Sequence, residues 1–343
     1  MAEPSEASWE VFKSGCRSSS DLSFAADFLH GTMTQWTVSP AGARATRNTA
    51  SWLIGRPDDM ENAYQVDVSW PLTWSDRVRE KSGANALYLV DGNALFLTAT
   101  ETLRRRHSHR THETGTVVIA IGYPLTTSVF SPRRSYDLTP PCETYIPPGG
   151  PDGKPKVEDH GGADRFLSFI TEVVRPFIST SVFPHVSFSQ TALFGHSYGG
   201  LFVLHTLFTR PGSFDVYLAA SPSIWWNDRF VLSEAESFCE DTPSTTASNT
   251  ATSRSPILRL SFGSLEESPV RGPGESDERF ELRRRGAARR RMKGNCSELY
   301  ARLLQSHGLK RVEMREYPDE DHGSVIAPAL SGGVGFFCGL AMS

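Results

Sequence analysis

Residues Thr191-Ala192-Leu193-Phe194-Gly195-His196-Ser197-Tyr198-Gly199-Gly200-Leu201-Phe202-Val203-Leu204 lead a short, mostly apolar strand into Gly-x-Ser-x-Gly and continue as an apolar run of helix formers. A serine in that setting occupies a sharp strand-to-helix turn, where the residues two before and two after it approach the backbone too closely for a Cβ. Hence glycine at 195 and at 199. The turn aims the first amides of the following helix, and the positive end of its dipole, at any oxygen that becomes negative when Ser197 attacks an acyl carbon.

In the fold built around such a turn the remaining members of the relay follow in the order acid, histidine. A strand over Val312 to Tyr317 runs into Pro318-Asp319-Glu320-Asp321-His322-Gly323-Ser324, which puts His322 on the loop after the last strand. Of the ten histidines, His205 lies eight residues into the helix after the serine and points away, and His307 ends a helix. The others precede Ser197, so His322 is the candidate base. The acid belongs after the preceding strand, Ile257 to Phe262, where Glu266 is the first choice and Glu267 and Asp277 are its rivals.

Several strings, in this order, resemble the siderophore-esterase branch of the esterase D group: Arg134-Ser135-Tyr136-Asp137-Leu138-Thr139-Pro140, Gly195 to Phe202, Ala220-Ser221-Pro222-Ser223-Ile224-Trp225-Trp226, Gly263-Ser264-Leu265-Glu266 and Asp321-His322-Gly323-Ser324. The branch includes enterobactin-type trilactone esterases and the fungal esterases of fusarinine and triacetylfusarinine C. The resemblance spans roughly residues 45 to 335. It implies an α/β-hydrolase fold, a serine carboxylic-ester hydrolase needing no cofactor and no resident metal, and a small-molecule ferric siderophore as substrate. Within the branch, a fungal hydroxamate is expected. The alternatives are a short-chain carboxylesterase or S-formylglutathione hydrolase-like acyl esterase, and an inactive hydrolase-fold binding protein.

Short apolar runs at Leu87 to Val90 and Val117 to Ile121 predict central parallel strands covered on both faces. Period-two alternation at Thr49 to Ile54 and Tyr64 to Trp70 predicts an antiparallel edge hairpin. Thr98 to Arg106 and Asp164 to Ile178 carry helical spacing, and the alternation of strands and helices gives a mostly parallel sheet with helices on both faces. Asp91-Gly92-Asn93 stands at the end of one central strand. In relatives with an equivalent Asp-Gly-x turn the residue after glycine lends its amide to the oxyanion, which the resemblance carries to Asn93 beside the Tyr198 amide; an ordinary glycine turn is the alternative.

Residues 123–162 form a proline-rich connection long enough to arch over the serine. Within it, Arg133 and Arg134 are candidates for substrate oxygens, since a guanidinium fork suits them; equally, Arg134 pairs with Asp137 to hold the loop. Trp225 and Trp226 follow a strand end near the same mouth, one expected to pack beneath the site and the other to line it as an aromatic wall.

A chain of 343 residues with 38% hydrophobic content can bury one large α/β core. We expect an irregular leader over 1–45, a catalytic domain over 46–343, and a disordered Ser/Thr-rich insertion at about 237–255. The net charge of -4 argues against general nucleic-acid or anionic-membrane partners, and no apolar run approaches the ~20 residues of a membrane span. Acidic residues in Met1 to Glu6, where a secretory signal is basic, and five scattered cysteines fit a cytoplasmic protein. Arg283 to Arg285 and Arg289 to Arg291 read as a solvated helix balanced by nearby acids, followed by a helix that restarts at Asn295. His107, His109 and His112 lie on an exposed helix end and make no metal site. The oligomeric state is not legible.

Overall fold

In the run Ala86-Leu87-Tyr88-Leu89-Val90, Leu87 and Leu89 join one apolar cluster while Ala86, Tyr88 and Val90 join another. Residues 117–121 divide in the same way: Val118 and Ala120 face the first cluster, Val117, Ile119 and Ile121 the second. Because side chains alternate at period two, a strand apolar on both faces must lie between two helical layers. The computed structural model describes residues 37–40, 47–124, 127–147, 155, 158–240 and 255–340. It shows this sandwich.

The strands are β1 (Thr37–Pro40), β2 (Thr49–Arg56), β3 (Asp59–Ser69), β4 (Gly83–Leu89), β5 (Gly115–Gly122), β6 (Ser187–His196), β7 (Val216–Ala220), β8 (Ile257–Gly263) and β9 (Arg311–Tyr317). They form one sheet in the order β1-β2-β3-β5-β4-β6-β7-β8-β9. Pairing is antiparallel from β1 through β5 and parallel from β5 to β9. Helices Gly92–His109 and Ile326–Leu340 cover one face; the helical stretch 163–182 and helices Tyr198–Thr209, Val231–Glu240 and Met292–Leu303 cover the other. This is the α/β-hydrolase arrangement, with β6 central and its C-terminal end opening onto the site. No helix among the described residues is long and apolar enough to cross a membrane.

Several boundaries differ from the sequence reading. The expected leader contains β1, which pairs with β2; residues 1–36 and 41–46 lie outside the described set. The crossover helix begins at Gly92, six residues before Thr98, so the Asp-Gly-Asn turn belongs to its first turn. The stretch 163–182 continues past Ile178 to Val182 and contains two widened, π-helical segments, Phe169–Val174 and Ile178–Val182. Between them stands Pro176, which has no amide to give to the preceding turn. In the expected insertion, residues 237–240 close the helix Val231–Glu240, since Phe238 is buried against the core; 241–254 lie outside the described residues. The last cap helix starts at Met292, not Asn295, because buried Met292 draws its first turn inward.

Candidate active site

Ser197 holds φ 61° and ψ -116° between the end of β6 and the helix Tyr198–Thr209. A non-glycine residue at positive φ stores about 1–3 kcal/mol. The helix behind it buries Leu201, Phe202, Val203, Leu204 and Leu207 completely, and each such side chain contributes about 1.5–3 kcal/mol. Packing therefore outweighs the strain. The turn is also fastened to the sheet: the Ser197 amide donates to Ala220 O at 3.0 Å, and Ser197 O accepts from Leu201 N at 2.9 Å and Ser223 N at 3.1 Å. A Cβ at Gly195 would lie 2.2 Å from Gly199 O, so only glycine lets the turn close.

From Ser197 a continuous chain of hydrogen bonds runs to a buried carboxylate. Ser197 Oγ lies 3.0 Å from His322 Nε2, and His322 Nδ1 lies 2.6 Å from Glu266 Oε2. The other oxygen, Oε1, accepts from Ser221 Oγ at 2.6 Å and from Gly263 N at 2.7 Å. The Glu266 side chain has no solvent exposure, while that of His322 is 42% exposed. A carboxylate with three donors in so dry a place stays an acceptor and fixes the imidazole with its proton on Nδ1. Nε2 is then free to take the serine proton. The rivals are engaged elsewhere: Glu267 Oε2 accepts from Gly294 N at 2.8 Å, and Asp277 pairs with Arg271 at 2.5 Å.

The acid and the base ride on neighbouring loops that are joined to each other. Ser264 N donates to Tyr317 O at 2.9 Å, Leu265 N to Glu320 O at 3.0 Å, and Asp319 N to Ser264 Oγ at 2.9 Å. Gly263 permits the join, since a Cβ there would meet Glu320 O at 2.2 Å. Just past the base, Asp321 Oδ1 accepts from Gly323 N and Ser324 N, and these bonds, opposed by some burial, hold its carboxyl below the ordinary range. Beneath the base, the His196 ring lies 4.6 Å from that of His322. Burial, with the neighbouring His322 and Arg134 as smaller causes, pushes the His196 pKa well below its usual value and keeps that ring neutral.

Asn93 and Tyr198 each stand in the first turn of a helix, Gly92–His109 and Tyr198–Thr209, where amides have no intrahelical acceptor. The Asn93 side chain is clasped to the end of β5, with Nδ2 donating to Tyr123 O at 2.7 Å and Oδ1 accepting from Tyr123 N at 2.8 Å. That leaves its backbone to define the turn. Ahead of it, Asp91 takes a left-handed conformation (φ 54°) and is 3% exposed.

Arg134 serves that carboxylate: Nε meets Asp91 Oδ1 at 2.8 Å and Nη2 meets Oδ2 at 2.7 Å. The sequence reading offered Arg134 to the substrate or to Asp137. Asp137 instead accepts from the hydroxyls of Tyr64 and Tyr123, each at 3.0 Å. Arg133 lies over the rings of Tyr64 (4.8 Å) and Tyr123 (5.2 Å) and donates to Ala63 O at 3.3 Å. Both arginines are thus occupied inside the protein rather than offered at the mouth. Two buried acids, at 91 and 137, need compensating charge and donors more than a solvent-facing ligand does.

The two tryptophans differ in burial. Trp226 is 1% exposed, with its ring 5.7 Å from that of Tyr145, whereas Trp225 is half-buried and 6.2 Å from the Tyr198 ring. Described parts of the long connection do lie over this region. Asn227 Oδ1 accepts from Ile146 N at 2.8 Å and its Nδ2 donates to Thr144 O at 2.9 Å, Tyr145 stacks on His160 at 3.8 Å, and Tyr198 Oη donates to Glu158 at 2.9 Å. Ser221, Asp91 and Asn227 were not singled out from sequence. Each acts on a residue tens of positions away, so only the parallel register of β7 and β8 and the folding back of the connection reveal it.

Residues 58–271 match the model of the Esterase family. The siderophore enterobactin esterase of Emericella nidulans is 64% identical over 311 residues, which cover 90% of this chain and 100% of that protein. The siderophore triacetylfusarinine C esterase of Aspergillus fumigatus is 44% identical, over 82% of this chain and 90% of its own length. Among solved structures, the siderophore hydrolase EstA from Aspergillus nidulans superposes with a TM-score of 0.81 at 63% identity, covering 90% of this chain and 99% of that one.

Proposed function

Since the chain belongs to the siderophore esterases of the Esterase family, we propose that it opens the backbone esters of a ferric siderophore with Ser197 as nucleophile, His322 as base and Glu266 as orienting acid. The observation that carries the reading is the unbroken relay from Ser197 Oγ through both ring nitrogens of His322 to Glu266. His322 Nε2 takes the serine proton as Oγ attacks the ester carbonyl, and the amides of Asn93 and Tyr198 receive the oxyanion. The imidazolium, held by Glu266, then protonates the departing alcohol. Water enters, gives its proton to the same nitrogen and frees the acid, restoring Ser197. No cofactor takes part in these steps.

The chelating group admits two readings. A hydroxamate, expected from the sequence, is supported by the relative named for triacetylfusarinine C. A catecholate trilactone is favoured by the more similar relative, named for enterobactin. Cytoplasmic action belongs to the proposal; Cys142, Cys239, Cys296 and Cys338 are unpaired, as suits a reducing compartment.

The test follows hydrolysis of ferric triacetylfusarinine C, ferric fusarinine C and ferric enterobactin by mass spectrometry, with a short p-nitrophenyl ester for comparison. Covalent labelling by a fluorophosphonate and its loss in Ser197→Ala are expected. A small ester turned over with kcat/KM equal to or above every siderophore would leave a general carboxylesterase. Ser197→Ala retaining a tenth of wild-type turnover would overturn the nucleophile assignment.

A further inference from the structure

The arginine-rich helix Asp277–Arg290 is solvated and balanced by Glu275 and Glu281 over much of its length, as expected, and its C-terminal end comes beside Trp225. Arg283 and Arg290 stand seven residues apart, two turns along one face and about 10 Å apart along the axis. Between them on that face is Ala287, buried at 7% exposure, whose small side chain lets the helix come close. At one end Arg283 feels the charge of Asp321, the neighbour of His322. At the other end the Arg290 guanidinium lies 5.7 Å from the centroid of Trp225, and Trp225 in turn lies beside Tyr198, the residue after the serine.

The arginines of this helix differ in how their charge is used. Arg283 is held by both oxygens of Glu275, and Arg284 and Arg285 by Glu281. Arg290 is exposed and makes no ion pair among the described residues. An uncompensated guanidinium laid on a half-buried tryptophan is a preorganised, flat cationic surface.

We propose that Arg290, backed by Trp225, is a specificity determinant that favours anionic ferric chelates carrying flat aromatic arms. This rests on the siderophore-esterase reading above and deepens it. A ferric tris-catecholate is a trianion, whereas a ferric tris-hydroxamate is neutral, so an exposed cation beside Trp225 discriminates between them by charge. The aromatic arms of the former also stack on indole and guanidinium planes. A trianion within a Debye length of the guanidinium gains a screened attraction corresponding to about 5- to 10-fold in apparent affinity.

The experiment compares wild type with Arg290→Gln and Arg290→Lys, after circular dichroism and melting show each variant folded. The readout is the ratio of kcat/KM for ferric enterobactin to that for ferric triacetylfusarinine C. Arg290→Gln should lower the ratio about 5- to 10-fold, through KM rather than kcat, and added salt should shrink the difference. Arg290→Lys should restore part of it, because charge returns without the plane. A ratio that does not move, or moves equally for both variants without salt dependence, overturns the proposal.

Binding is read separately on a Ser197→Ala background, by tryptophan quenching with ferric enterobactin. Equal Kd values with and without Arg290→Gln overturn the role of Arg290 whatever the turnover. A wild-type chain that hydrolyses no siderophore overturns the proposed function instead.

Discussion

Glu266→Gln removes one charge and no volume, so its effect isolates what the carboxylate does for the imidazole. Glu266 accepts at both ends: Ser221 Oγ and Gly263 N on Oε1, His322 Nδ1 on Oε2. A glutamine has one oxygen for these sites. If that oxygen stays with Ser221 and Gly263, the amide NH2 faces Nδ1, which must then accept, and the ring proton moves to Nε2. The nitrogen facing Ser197 is then a donor and cannot take a proton. If the amide flips, its NH2 confronts the Gly263 amide, and a buried donor left without an acceptor costs about 1–3 kcal/mol. The first arrangement is the cheaper one and gives the wrong tautomer.

The expected loss in kcat is about 10³- to 10⁴-fold, which corresponds to about 4–5.5 kcal/mol of transition-state stabilisation. KM should change little, because no substrate contact is removed. Steady-state kinetics on p-nitrophenyl acetate and on the ferric chelates, with melting curves to show that the variant folds, supply the measurement. A kcat within tenfold of wild type would refute the argument, and would mean that His322 is oriented by something other than Glu266.

Other expectations come from outside the relay. Burial alone would lower the pKa of His205, but hydrogen bonds and charge from Asp164 and Glu234 outweigh it and push the ring up to about 9. A pKa raised above the unfolded value near 6.5 gives stability that is complete below about pH 6.5 and is lost as pH rises through about 9; melting temperatures of wild type and His205→Gln that fall in parallel over that window would contradict this. Trp226→Ala should cost about 3–5 kcal/mol, as a fully buried aromatic does, whereas Trp225→Ala should cost less stability and raise KM for the chelate. Denaturant melts and kinetics separate the two, and equal destabilisation would show both rings to be core. Arg134→Lys should lower kcat about tenfold by loosening the two-point hold on Asp91 and the Asn93 turn; a rise in KM with kcat intact would instead mark Arg134 as a substrate contact.

What could be read without coordinates was whatever local chemistry dictates. The elbow is one: glycine spacing, apolar strand and apolar helix are contiguous, and nothing distant is needed to interpret them. The positions of β4 and β5 are another, because runs apolar on both faces admit few alternatives. The sequence put Glu266 first but kept Glu267 and Asp277 as rivals, since the choice depends on Ser221 at the end of β7 and on the path of the loop after β8. Arg134 was weighed against Asp137 rather than Asp91 because Asp91, some forty residues earlier at the end of β4, is brought to it only by the parallel pairing of β4 and β5. The arginine-rich segment was recognised as a helix, yet its place beside Trp225 follows from the packing of Ala287, and one alanine carries no signal in a sequence.

The join between the loops after β8 and β9 bears on how the molecule breathes. β9 is the edge strand of the sheet, and edges are where backbone hydrogen bonds open first. Were the base carried alone on that edge, each local opening would strand a buried carboxylate without its partner. With Ser264 and Leu265 laced to residues 317–320, the last strand and the tip of its neighbour are tied into one unit. Carboxylate and imidazole are held within it as a matched pair, and two side-chain contacts fasten that pair to the strands further in: Glu266 to Ser221 at the end of β7 and His322 to Ser197 at the end of β6. A disturbance of the border therefore meets the relay as a whole before it reaches the bond between acid and base.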